Sequence, residues 1–331
     1  MEFDELLKEL SKLNSDRAAE IIAYLIHKCL PSKDNWRDYY YKYFPFWEKR
    51  GFHVTLPHYY SPLPEINKLD NSIWEKPKEI PNLKYNEDDQ LKLLEHFSNV
   101  FRSEYENIPL DRTSDPKQYH LIGGRFEGID GYILYCMIRH LKPKRVIEIG
   151  AGHSTLLTAQ ALQKNQEETG EKAAFISIEP YPNELLKSGI PGLTELIVKK
   201  LQDVDISLFR ELSDGDILFI DSSHISKLGS DVNYEYIQIL PKLNKGVMIH
   251  IHDIFTPYEY PKEFLIGLLF FFNEQYLLEA ILANSDNYEV IWAGQYIYSN
   301  HFDHLLRVFP KYGQATKSPA HSSSLWLKKK H

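Results

Sequence analysis

The reading of this chain turns on "RVIEIGAGHST", residues 145–155. Val146 to Ile149 make a short, mostly apolar run. Gly150 and Gly152 follow two apart, and "STLLTAQALQKNQEETG" continues as a helix. A strand that breaks into Gly-x-Gly just before a helix lets the backbone turn tightly and approach a ligand closely. Gly-x-Gly alone is a weak signal; its place between strand and helix gives it weight. The third glycine of a dinucleotide fingerprint is missing, and Ser154 stands nearby instead.

The same alternation runs on downstream. "AAFISIEP", "TELIVKK", "GDILFID" and "GVMIHIHD" are further short apolar runs, separated by the helix-like "NELLKSGI", "DISLFREL" and "SDVNYEYIQILPKL". Near-continuous apolar strands alternating with helices predict a parallel sheet covered on both faces. A long helix around 262–283, a strand "YEVIWAG", a helix at 300–309 and a strand "SSSLWLK" then supply what an added antiparallel hairpin needs. Upstream, "GIDGYILYCMIRHLKP" reads as a helix stopped at Pro143, and 87–107 as another. Residues 1–30 have helical spacing (Leu6, Leu7, Leu10, Leu13, Ile21, Ile22, Leu25, Ile26). The prolines of "FPFWEKRGFHVTLPHYYSPLPEINKLD" predict no long regular element there. The expected organisation is a helical and irregular cover region over 1–120 and a main domain over 121–331.

Composition narrows the function. The 331 residues are 43% hydrophobic and carry a formal charge of −8, which argues against a general nucleic-acid surface. The longest apolar run, "FLIGLLFFF" at 264–272, is far short of the ~20 residues that span a bilayer. The beginning, "MEFDELLKELSKLNSD", is charged from residue 2, unlike a secretory signal. A soluble, cytoplasmic protein with a small-molecule substrate is expected, with a homo-oligomer left open. The two cysteines, Cys29 and Cys136, sit in helix-like apolar stretches and read as buried thiols.

The second strand ends in "SIEP", which puts Glu179 beside the glycine turn, where a carboxylate can take both hydroxyls of a ribose. Glu148, Glu179, Asp203 and Asp221 gather acid at the C-terminal edge of the sheet. That field would repel a pyrophosphate and attract a sulfonium with its ammonium group.

At the C-terminal edge the fifth strand is unusual. In "GVMIHIHDIF", residues 246–255, Met248, His250 and His252 alternate onto one face, and Ile249, Ile251 and Asp253 onto the other. His250 lies one pleat deeper and reads as a hydrogen-bonded core histidine. His252 and Asp253 come at the functional edge, and "FIDSSH" brings Asp221 and His224 to the same edge. Three readings stay open: a mixed N/O site for a divalent ion, a histidine acting as general base, or structural hydrogen bonding. The metal candidates are Asp221, His252, Asp253 and His224; the catalytic candidates are His224, His252 and Asp221. Around them, Arg125, Glu127 and Asp130 of "GGRFEGIDGY" either line the entrance or start a helix that Asp130 caps. Tyr258 and Tyr260 are packing residues or substrate contacts, and Asn233 and Tyr234 serve capping and packing.

"VIEIGAGHSTLLTAQAL", "FISIEPYP", "LQDVD" and "ILFIDSSH" fall in the order of the class I S-adenosylmethionine-dependent methyltransferases, which the chain resembles over about residues 120–330, with weaker likeness in "YYSPLPEI". With "SDVNYEY", "LPKLNKG" and "HIHDIF" added, it resembles a family of bacterial small-molecule methyltransferases of largely undefined substrate. The resemblance implies a Rossmann-like, doubly wound, seven-stranded and mostly parallel sheet with one antiparallel edge strand. It places Glu148, Gly150, Gly152 and Ser154 at the methionine moiety of S-adenosylmethionine, Glu179 at the ribose, Asp203 at the adenine and Asp221 beside the sulfonium. Metal-dependent O-methyltransferases carry acidic ligands at the ends of the fourth and fifth strands; the histidines are a departure. Fe, Mn, Zn or Mg is the ion implied. The expected activity is methylation at oxygen of a sugar or natural-product scaffold. A nicotinamide-dependent Rossmann oxidoreductase and a non-catalytic cofactor-binding subunit are the alternatives.

Overall fold

The computed structural model describes residues 8, 11–29, 36–55, 59–315 and 322–331. Leu6, Leu7 and Leu10 of the expected first helix, and the side chain of Cys29, lie outside the described residues. The chain divides into two units, Met1–Glu65 and Ile66–His331. The smaller holds helices α1 (Ser15–Cys29) and α2 (Trp36–Glu48). Helix α2 runs five residues into the stretch read as irregular and passes through Pro45. A proline removes one donor from a helix, yet Pro45 keeps its carbonyl in use, accepting from Lys49 N at 3.2 Å.

In the larger unit two 3-10 turns (Ile66–Lys68 and Asn71–Trp74) precede α3 (Glu87–Tyr105) and α4 (Gly128–Leu141). The alternating region follows as read: β1 (Arg145–Ile149), α5 (His153–Thr169), β2 (Ala174–Ile178), α6 (Glu184–Lys187), β3 (Glu195–Ile197), α7 (Ser207–Arg210), β4 (Ile217–Ile220), α8 (Asp231–Tyr234) and β5 (Met248–Ile251). Beyond it come α9 (Lys262–Ile266), α10 (Glu274–Asn284), β6 (Tyr288–Ala293), α11 (Gly294–Asn300), α12 (Phe302–Val308), α13 (Pro310–Ala315) and β7 (Leu325–Lys329). No helix among the described residues is long and apolar enough to cross a membrane.

The strand order is β3-β2-β1-β4-β5-β7-β6. Strands β1 to β5 pair in parallel, and β7 runs antiparallel to both β5 and β6 in the edge pair. Alternate residues feed two cores. Val146, Phe219, Met248 and Trp326 belong to one, and Ile147, Ile149, Leu218, Ile220, Ile249 and Ile251 to the other. Both faces being buried is why the strands read as unbroken apolar runs.

Two helices differ from the sequence reading. The long helix expected around 262–283 is split, with residues 267–273 between α9 and α10 and Leu269 at φ +56°. Helix α10 begins where His224 O accepts the N–H groups of Asn273 and Glu274, at 3.1 and 3.2 Å. The helix expected over "SDVNYEYIQILPKL" is α8 followed by a π turn, Glu235–Ile239, and a 3-10 turn, Leu240–Lys242.

Register sets the site. Ile149 lies opposite Ile220, and Ile220 opposite Ile251. One step further, Asp221 N donates to Ile149 O and His252 N to Ile220 O, each at 2.9 Å. Gly150, Asp221 and His252 therefore leave the sheet side by side. Gly150 has φ +84°, and a Cβ there would lie 1.8 Å from Asp221 O, so only glycine lets β1 and β4 end this close together.

Helix α3 packs Leu94, Phe97, Phe101 and Tyr105 into the core of the larger unit. Arg139 of α4, 3% exposed, donates to both oxygens of Glu104 at 2.6 and 2.9 Å. Removing one partner of a buried ion pair costs about 3–5 kcal/mol. A 121–331 fragment, lacking Glu104 and the apolar face of α3, is therefore expected to aggregate. Size-exclusion chromatography with light scattering checks this; a monomeric fragment with an intact thermal transition would show that α3 is dispensable.

Candidate functional site

The site begins at the turn after β1. Gly150 N donates to Ile178 O at 2.9 Å, and a Cβ on Gly152 would meet nothing within 4 Å. Glu179 is half-buried and braces the turn. Its Oε2 accepts from Ala151 N at 3.3 Å and its Oε1 from Tyr181 N at 2.7 Å. Glu148 is only 1% exposed and faces inward. Ser154 Oγ and Thr155 Oγ1 donate to it at 2.8 and 2.7 Å, and Ser177 Oγ donates as well. The side chains of Glu148 and Ser154 are thus occupied with each other, and what the turn offers outward is backbone. Burial pushes the Glu148 carboxyl up to about 7 despite those three hydroxyl donors. Asp203 is exposed at the end of a 3-10 turn, Leu201–Asp203, after β3.

Four side chains converge one strand over. His224 Nε2 lies 3.2 Å from Asp221 Oδ1 and 3.6 Å from Asp253 Oδ2. His252 Nδ1 lies 3.7 Å from Asp221 Oδ1 and 3.6 Å from Asp253 Oδ1. Asp221, His252 and Asp253 each present a ligand atom within 4.8 Å of the others. The longer of these distances exceed a hydrogen bond. His224 is not part of that group of three, though its Nε2 lies beside both aspartates. His224 and Asp253 both stand at positive φ, +58° and +54°, a conformation that non-glycine residues adopt mainly where surroundings impose it.

Behind the cluster is a second layer of buried acids. His224 Nδ1 meets Glu274 Oε2 at 2.9 Å, and Tyr236 OH donates to Glu274 Oε1 at 2.9 Å. His252 Nε2 faces Asp130 Oδ2 at 3.5 Å and Ser323 Oγ at 3.4 Å. Asp130 is held in turn by Ser322 Oγ (2.6 Å) and Ser323 N (2.8 Å). Burial pushes Asp221 up, but the charge of His252 and the hydrogen bonds of His224 and His252 win and hold it well below the usual carboxylate range. Burial pulls both imidazoles down, but Asp221, Glu274 and Asp253 around His224, and Asp253, Asp221 and Asp130 around His252, hold them above their ordinary range.

Asp130 was read as an entrance acid or a helix cap; it is 3% exposed and faces His252. Glu274, Tyr236 and the Ser322–Ser324 run escaped the sequence reading. Glu274 looks like an ordinary first-turn acid of α10, and nothing in its spacing points to His224, fifty residues earlier. His250 is a core residue as read: it is fully buried, its Nε2 is 3.0 Å from Ser324 Oγ, and its ring stacks on Phe219 at 4.1 Å. Burial holds it down at about 3. Tyr260 is also buried, its OH accepting from Gln275 N at 2.8 Å. Asn233 Oδ1 accepts from Ser226 Oγ at 2.6 Å, Glu127 accepts from Gly123 N at 2.8 Å, and Arg125 is exposed.

Residues 147–254, from β1 through the end of β5, match a family described as "Methyltransferase domain". An uncharacterized protein of Archaeoglobus fulgidus is 33% identical over 168 residues, covering 48% of this chain and 74% of that protein. The chain thus carries a methyltransferase domain over these residues. Partial overlaps with solved structures include "CmcI-N160 apo-structure" (15% identity, 69% of this chain and 84% of that one, TM-score 0.36). Another is "Loganic acid methyltransferase with SAH" (13% identity, 74% and 95%, TM-score 0.29). Neither overlap carries any part of the assignment. In this methyltransferase the matched region contains the glycine turn and the whole His/Asp cluster.

The raised carboxyl of Glu148 has a consequence for stability. Its folded-state value, about 7, lies above the ordinary 4.5, so the fold binds the proton more tightly than the unfolded chain does. The stability gained is full below pH 4.5 and is lost as pH rises through 7. Urea unfolding at pH 5 and pH 8 should therefore show wild type losing up to about 3 kcal/mol relative to Glu148→Gln, from ~1.4 kcal/mol per unit. A difference between the two proteins that does not change with pH would refute the assignment.

Proposed function

We propose that this methyltransferase transfers a methyl group to a hydroxyl of a small molecule with an apolar body, assisted by a divalent ion. The observation that carries the proposal is the meeting of ligand atoms of Asp221, His252 and Asp253 at the ends of β4 and β5, with His224 Nε2 beside both aspartates, next to the glycine turn after β1. S-adenosylmethionine, when bound, supplies an electrophilic methyl on a sulfonium. The open space at Gly152, the outward backbone of the turn and the carboxylate of Glu179 suit its methionine and ribose parts. Glu148, with Ser154, Thr155 and Ser177, keeps that turn in shape from inside. Asp203 would lie toward the adenine.

Asp221 is central because it belongs to both halves. It follows β4 directly beside Gly150, and its Oδ1 faces both His224 and His252. Asp221, Asp253, His224 and His252 would hold the ion, whose contribution is Lewis acidity that lowers the pKa of an acceptor hydroxyl. Holding the hydroxyl in line with the methyl would supply much of the remaining acceleration. A histidine acting as free base is less well supported. Each imidazole already has both ring nitrogens turned to carboxylates, which leaves neither facing an acceptor hydroxyl.

The acceptor side is apolar. Phe272 lies 4.6 Å from the His224 ring, and Phe270 stacks on Phe272 at 5.0 Å. Leu268, Leu269 and Phe270 beside them are 54%, 60% and 43% exposed. A natural-product type of scaffold matches this wall better than a free sugar.

Two outcomes test the reading. Glu179→Ala should fold and should weaken S-adenosylhomocysteine binding by about 1.5–3 kcal/mol in calorimetry, the range for hydrogen bonds to a charged group, and Gly152→Ala, which puts a methyl group into the open space, should weaken it as well. Unchanged affinity in both would remove the cofactor seat from this turn. Separately, excess chelator should abolish methyl transfer to hydroxylated aromatic acceptors while cofactor binding persists, and Mn²⁺ or Fe²⁺ should restore it. Full activity in chelator, with no metal found in the protein, would defeat the metal reading.

A further inference from the structure

Each histidine of the cluster has one nitrogen committed to a buried carboxylate and the other facing the two aspartates. For His224 the committed nitrogen is Nδ1, against Glu274, which is fully buried and tied by its second oxygen to Tyr236. For His252 it is Nε2, which faces Asp130 Oδ2 at 3.5 Å beside Ser323 Oγ at 3.4 Å; Asp130 is in turn pinned by the Ser322 hydroxyl and the Ser323 amide. A carboxylate that accepts the N–H of one ring nitrogen leaves the lone pair on the other, and so fixes the tautomer and the ring orientation. The opposite nitrogens, Nε2 of His224 and Nδ1 of His252, are the ones 3.2 to 3.7 Å from Asp221 and Asp253. The two supports come from opposite sides of the cluster, one from the start of α4 and one from the start of α10.

We propose that Asp130 and Glu274 are positioning residues that fix His252 as an Nδ1 ligand and His224 as an Nε2 ligand, so that the site takes a borderline divalent ion of the Mn, Fe or Zn class in preference to Mg²⁺. This rests on the metal reading given under the proposed function and adds the identity of the ion and the role of two acids. Magnesium takes oxygen ligands in near-octahedral geometry and keeps its waters. Two imidazoles and two carboxylates at these spacings suit a softer ion. Neither Asp130 nor Glu274 would touch the ion; each acts by aiming a ring.

The test uses full-length protein stripped of metal. Competition titrations should show Zn²⁺, Mn²⁺ and Co²⁺ binding more tightly than Mg²⁺ by more than about tenfold. Proton NMR of the Co²⁺ protein should show two strongly shifted, solvent-exchangeable imidazole N–H signals, one from each committed nitrogen. Asp130→Asn and Glu274→Gln should each lower Co²⁺ affinity by about 10–100-fold and shift one of the two signals, with S-adenosylhomocysteine affinity unchanged. If a variant fails to fold, the two N–H signals of the wild-type protein still decide the matter. Mg²⁺ binding as tightly as Mn²⁺, without shifted N–H signals, would overturn this inference and leave the metal reading standing. No binding of any of the ions would overturn both.

Discussion

The site depends on one close approach. Gly150 passes so near the carbonyl of Asp221 that a single added methyl would collide with it. That contact holds the ends of β1 and β4 level. The turn that would seat the cofactor and the acid that leads the His/Asp cluster are then neighbours, with no connecting element between them. Because β5 continues the same row, His252 joins them through one more backbone hydrogen bond. Ligands at the C-terminal edge of an open α/β sheet, where the strand order reverses, are a general expectation; here the reversal lies between β1 and β4.

Burying so many charges in one place is costly unless they are paired. The cluster sets two imidazoles among acids on every side: Asp221 and Asp253 in front, Asp130 and Glu274 behind. One acid stays outside the pairing. Glu235, fully buried at the start of the π turn, keeps one oxygen without a partner and the other 3.2 Å from Ser222 Oγ. Burial first, and then the charges of Glu274 and Asp231, push it well above the usual carboxylate range. π turns are often found at functional sites, and this one supplies Tyr236, the residue that holds Glu274.

The sheet was legible because burial on both faces writes itself as short apolar runs, and all seven strands fall where those runs lie. The edge that carries the chemistry was legible for the same reason: polar residues at strand ends stand out against "RVIEI", "ILFI" and "MIHI". Helices after β5 were less so. "FLIGLLFFF" looks like a helix core, yet Leu269 at positive φ breaks it, and α10 starts only where the backbone of His224 receives it. The supporting acids were the hardest to see. Asp130 and Glu274 are defined by partners 122 and 50 residues away (252 − 130 and 274 − 224). No local pattern encodes such a pairing.

The triple-serine run before β7 gives the molecule an order of assembly. Ser322 and Ser323 hold Asp130 across 192 and 193 residues of sequence, and Asp130 faces His252. The glycine turn needs only its neighbours, since β1 pairs with strands from the next eighty or so residues (220 − 145 = 75). Contacts of long sequence separation form late, because chain entropy must be given up before they are gained. As the polypeptide emerges during synthesis, the turn and its strands can thus pair while His252 still lacks its support. The glycine-turn side of the molecule can form from its neighbours in sequence, whereas the His/Asp cluster is complete only when β7 stands between β5 and β6.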